Sequence, residues 1–110
     1  MSSRSVRSFL DDAMRWCRTG AQTDLLAMIR SPHSGVPHDV GAAYATLATR
    51  TGPLLEAIEG QRLGLPPPDR DAAMAFAAGA RRILAFSESA DDERLREAIV
   101  ATFGLGPARD

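Results

Sequence analysis

Wound at 100° per residue, the segment from about Ser5 to Arg18 gathers Val6, Phe9, Leu10, Ala13, Met14, Trp16 and Cys17 on one face, the pattern of an amphipathic helix. Thr19 and Gly20 read as its stop. Thr23 is then placed to cap a short second helix, Asp24 to Arg30, that carries Leu25, Leu26, Met28 and Ile29. Ser31 to His38 reads as a loop. Asp39 is positioned as the N-cap of a third helix, whose inward stripe would hold Val40, Ala43, Tyr44, Leu47, Ala48 and Thr51. Leu54, Leu55 and Ile58 continue this stripe across Gly52 and Pro53. Because Pro53 removes a backbone hydrogen bond and crowds the preceding turn, the stretch predicts two helices or one kinked helix.

Gly64, Leu65, Pro66, Pro67 and Pro68 form a stiff connector, since successive prolines fix φ and hold the preceding residues extended. Asp69 follows as the expected N-cap of the longest apolar helix, about Arg70 to Phe86, which is apolar nearly all round apart from Arg70, Asp71, Arg81 and Arg82. Such a helix is expected to be surrounded. Ala72, Phe76, Gly79, Ala80 and Ile83 alternate bulk with gaps that would let a neighbouring backbone approach. After Ser87 to Ala90, Asp91 and Asp92 favour a helix start, Leu95, Ala98, Ile99, Thr102 and Phe103 line one face, and Gly104 ends it. The expected fold is all-α: one domain over residues 1–110, a compact bundle of five to six helices, mostly antiparallel, around a central helix near residues 70–86.

Composition and charge adjust this picture further. Hydrophobic residues make up 45% and charged residues 25%, a globular balance, but aromatic residues are only 5%. A core of small side chains buries less area per residue, so self-association, most simply as a homodimer, is expected to add to stability. The net charge of -1 removes the general attraction to phosphate backbones, which makes nucleic acid a poor partner. All of the basic residues are arginine, a usage that fits a GC-rich genome and carries no mechanism. Cys17 stands alone, so no intramolecular disulfide can form. With no apolar run long enough to span a bilayer and no h-region after the first residues, neither membrane insertion nor secretion is expected, and the cytoplasm is the default.

Motifs that would name an enzyme are missing: there is no phosphate-binding glycine loop, nucleophile elbow, HExxH or CxxC. The most unusual segment is SPHSGVPHD, Ser31 to Asp39, with both histidines in Pro-His pairs. One reading brings His33, His38 and Asp39 together on a metal; the plainer one leaves two solvated imidazoles and a helix cap, because histidines five apart on a loop have no fixed geometry. Arg4, Arg7, Arg15 and Arg18 share a narrow sector of the first helix, and Asp11, four residues from both Arg7 and Arg15, is expected to pair with them locally. Arg81 and Arg82 on an otherwise apolar helix call for carboxylates such as Glu88, Asp91 or Asp92, or for an anionic ligand. Trp16 belongs to the apolar face as a packing group; at the edge of that face it would anchor a partner, with Met14 and Met28 extending the patch. Cys17 lacks a nearby base and is no nucleophile.

The sequence therefore points to a non-enzymatic interaction module, regulatory or accessory in role and self-associating, that binds another protein through Met14, Trp16, Arg81 and Arg82 and needs no cofactor. Its alternative is a small-ligand or metal-binding bundle built on His33, His38 and Asp39, with Arg81 and Arg82 as further candidate ligand contacts. A third class, helix-mediated DNA binding, would need the arginines of the first helix unpaired along one face.

Overall fold

The computed structural model describes residues 6–105. Among these residues six helices follow one another: α1 (Val6–Thr19), α2 (Gln22–Arg30), α3 (His38–Thr51), α4 (Leu54–Glu59), α5 (Pro67–Ser87) and α6 (Asp92–Phe103), with a 3-10 turn at Pro32–Ser34. There is no strand among the described residues. The chain is an all-α bundle, and α5 is its spine, packing on α6, α4, α1 and α3. Fully buried Phe9, Met28, Ile29, Tyr44, Leu54, Phe76 and Ile83 show that every helix from α1 to α5 contributes to one core, which Leu95 and Ile99 of α6 complete.

Several helix starts differ from those the side-chain caps predict. The N-cap of α2 is Ala21, with no side-chain cap, and Thr23 lies inside the helix. Pro37, not Asp39, precedes α3; Asp39 sits in the first turn, where its Oδ1 accepts the Val40 N–H at 3.0 Å. Likewise α5 begins at Pro67, with Pro66 as its cap and Asp69 in the first turn. In α5 the first helical positions need no N–H donor, so Pro67 opens the helix there; in both helices the carboxylate of the first turn still faces the positive end of the dipole. At α6 the expectation holds, since Asp91 accepts the Arg94 N–H at 2.9 Å and Gly104 closes the helix in the left-handed conformation, φ 63°.

The α3–α4 stretch is two helices, broken at Gly52, whose φ of 120° and ψ of -151° only glycine accepts readily. The inward face of α3 is also turned from the expected one. Gly41 and Ala45 are buried, while Ala43 and Thr51 are exposed. Glycine at position 41 lets α3 lie directly on the backbone of α2, where a Cβ would come within 2.6 Å of the Ile29 carbonyl oxygen. Close helix contact, more than side-chain hydrophobicity, sets this rotation.

The small residues of α5 behave as their spacing predicts on one side: Phe76, Gly79, Ala80 and Ile83 are buried, and Gly79 meets Thr102 and Phe103 of α6. Phe103 stacks edge-on to Phe9 with ring centroids 5.2 Å apart and lies 5.9 Å from Phe76. On the other side α5 is not surrounded. Asp71, Ala75, Ala78, Arg82, Ala85 and Phe86 are exposed, because alanine loses little by facing water and the four neighbouring helices cover only the opposite arc.

Candidate functional site

Serines, not histidines, organise the Pro-His loop. Ser31 Oγ accepts the His33 N–H at 3.1 Å; Ser34 Oγ lies 2.9 Å from the Ser31 carbonyl and 3.1 Å from that of Ile29, and accepts the Val36 N–H at 3.1 Å. Both serines are buried. His33 sits edge-on to Phe9, ring centroids 6.3 Å apart, whereas His38 opens α3 and is exposed, as is Asp39. Among the described residues no three His, Cys, Asp or Glu side chains are grouped as a metal requires, so His33, His38 and Asp39 are not brought together.

Arg15 and Arg18 of α1 serve the corners of the bundle, whereas Arg7 is exposed. Arg15 binds Asp12 at 2.7 Å and Asp24 at 3.1 Å, not Asp11, because α2 brings Asp24 within its reach. Asp24 also holds the Arg15 guanidinium above its ordinary pKa. Arg18 donates to the Ser87 and Ala90 carbonyls at 2.8 and 2.9 Å and pairs with Asp92 at 2.8 Å. One side chain thus binds the end of α5, the turn after it and the start of α6. Arg4 and Ser5 lie outside the described residues.

Arg81 grips Glu59 of α4 in a two-pronged pair at 2.9 and 2.8 Å, rather than Glu88, Asp91 or Asp92, because its direction on α5 faces α4. That hydrogen bonding holds the Glu59 carboxyl below its usual range. Trp16 is only 5% exposed; it packs in the core and is no free surface anchor. It does share a groove of about 240 Å³ with Arg81, which Gln22, Pro53, Leu55 and Leu84 also line. Met14 is half-buried against the core. Of the four residues assigned to partner binding, then, Trp16 and Arg81 meet in one groove and Met14 and Arg82 lie elsewhere. Cys17 is beside Ser87, and burial pushes its thiol up to about 11, so little thiolate exists near neutral pH.

Arg82 faces a different surface. Phe86, one turn further along α5, is 41% exposed, the one large hydrophobic side chain so placed among the described residues. Together with Ile83 of α5 and Ala98, Ala101 and Thr102 of α6, Arg82 and Phe86 line an apolar groove of about 340 Å³. Arg82 pairs with no carboxylate among the described residues. The sequence reading missed Phe86 by counting it in an all-round apolar helix. Asp71 and Arg82 mark the solvent line of α5, and Phe86, four residues beyond Arg82, falls about 40° from it; that was the available signal.

No protein-family model matches the chain, and no curated protein and no solved structure matches it significantly. Among the described residues no helix is long and apolar enough to cross a membrane.

Proposed function

We propose that this chain is a non-enzymatic protein-interaction module, regulatory or accessory in role, that takes its partner on the α5–α6 face. The observation that carries the reading is Phe86, an aromatic ring exposed at the edge of an apolar groove beside Arg82, which pairs with no carboxylate among the described residues. Buried on binding, a Phe ring contributes a few kcal/mol, and aromatic and arginine side chains dominate protein interfaces. The groove's walls are mostly alanine, threonine and isoleucine, which suit a packed side chain or helix better than a polar metabolite.

Capture from the source cells with the native chain and with Phe86→Ser and Arg82→Glu variants tests it. Both positions are exposed, so the fold should be retained, which circular dichroism checks. Loss of the same bound protein in both variants is the expected result. Capture unchanged by either substitution would move the binding surface elsewhere.

A further inference from the structure

We propose that the occupant of the α5–α6 face is a second copy of this chain, its α5 running antiparallel to the first, with Asp71 of each copy opposite Arg82 of the other. The proposal rests on the reading of that face as a protein-binding surface.

Helix geometry supplies the register. Asp71 and Arg82 are both exposed, and eleven residues of helix turn through three revolutions, leaving them about 20° apart on one line and about 16 Å apart along it. Between them on the same line lie Ala75 and Ala78, also exposed. The order acid, alanine, alanine, base has spacings of four, three and four, so it reads the same backwards with the charges exchanged. An antiparallel copy therefore sets Ala75 against Ala78 and Asp71 against Arg82 at both ends, with the alanines letting the axes approach to about 8 Å. A parallel copy would oppose like charges at both ends.

The ends fit too. In this register the first turn of one α5, opened by exposed Pro67 and Pro68, meets Phe86 and the groove of the other. Pro68 and Phe86 are five full turns apart and share a second line, about 40–60° round the helix from the first. The apolar prolines, which no neighbouring helix covers, thus enter the apolar groove. Arg82 has no carboxylate among the described residues, and Asp71 has only its neighbour Arg70, at 3.8 Å. One acid and one base on one line suit a copy of themselves; a strongly acidic or basic partner would leave one of them opposed by its own sign.

Sedimentation velocity from micromolar to sub-millimolar protein tests the register, using the native chain, Asp71→Arg and Arg82→Asp. The native chain should form a dimer. Each reversal places like charges at both ends and should weaken the dimer about tenfold or more, with helicity unchanged. Mixed in equal amounts, the two variants should form a heterodimer, identified by native mass, because every end then pairs an acid with a base. A monomeric native chain, a dimer indifferent to both reversals, or a mixture no tighter than its components would overturn the proposal. A monomer that still loses a captured protein on Arg82→Glu would overturn the dimer alone and leave the interaction module standing.

Discussion

Gln22 Oε1 accepts the backbone N–H of Leu54 at 2.7 Å, while Gln22 Nε2 reaches the Gly52 carbonyl at 3.4 Å. The break between α3 and α4 leaves backbone groups without helical partners, and Pro53 has no N–H to offer. A side chain from α2 thus does for α4 what its own cap does not. Replacing it, Gln22→Ala, is expected to cost about 1–2 kcal/mol in urea denaturation, because Leu54 is fully buried and its N–H would lose its acceptor. A loss within a few tenths of a kcal/mol would mean that water takes over the role.

The two close glycine contacts should respond differently to alanine. At Gly41 the new Cβ would press on backbone, the Ile29 carbonyl, and Gly41→Ala is expected to cost about 2–3 kcal/mol as α2 and α3 separate. At Gly79 the nearest atoms, Thr102 Cγ2 at 3.0 Å and Phe103 Cζ at 3.2 Å, belong to side chains near the end of α6, which need shift only a few tenths of an ångström and yield more readily than backbone. The helix-propensity gain of about 1 kcal/mol should offset most of that crowding. Thermal melts of both variants check the contrast, and equal losses would contradict it.

The Glu59–Arg81 pair makes a defined contribution to acid stability. Its hydrogen bonds lower the carboxyl's pKa on folding, so its stabilisation is complete above the ordinary glutamate value of 4.5 and disappears as pH falls through the lower folded value. Both side chains are more than one-third exposed, at 39% and 49%, which limits the contribution to under about 1 kcal/mol. Glu59→Gln should lower the urea midpoint at neutral pH and by less at about pH 3, because uptake of a proton by the native carboxyl as pH falls removes the charge that Arg81 pairs with. An equal loss at both pH values would assign the effect to packing.

Cys17 should be slow toward thiol reagents. With its thiol pushed up to about 11 from an ordinary 9.0, the thiolate population near pH 8 is roughly a hundredfold below that of a free cysteine. The folded chain should therefore react about a hundredfold more slowly than the urea-unfolded chain in a colorimetric thiol assay. A difference of only a few-fold would show the thiol open to solvent.

The all-α class, a count of five to six helices and most of their extents were legible because they depend on local quantities: apolar spacing at 3.6 residues, Gly104 as a stop, Asp91 and Asp92 as acidic residues at a helix start, and Pro53 as a break or kink. The start of α5 at Pro67 was also locally encoded, in proline's suitability for the first helical position, but the more familiar signal of Asp69 as a cap obscured it. The candidate site was less legible. Arg82 was marked by its charge on an apolar helix, whereas Phe86 looked like one more core residue until the line through Asp71 and Arg82 placed it in solvent.

What the sequence alone determined is the set of helices and their strongest apolar stripes, since each follows from residues close together in the chain. The tertiary structure decided which stripe each helix buries and which partner each charge takes. The rotation of α3 follows from the backbone contact at Gly41, the burial of Trp16 from the core packing at the end of α1, and the choice of Asp24 and Asp92 over Asp11 from the corners that bring them close. Periodicity reports that a face is apolar but not how much of it neighbouring helices will cover, and only their packing left the Phe86 edge of α5 open.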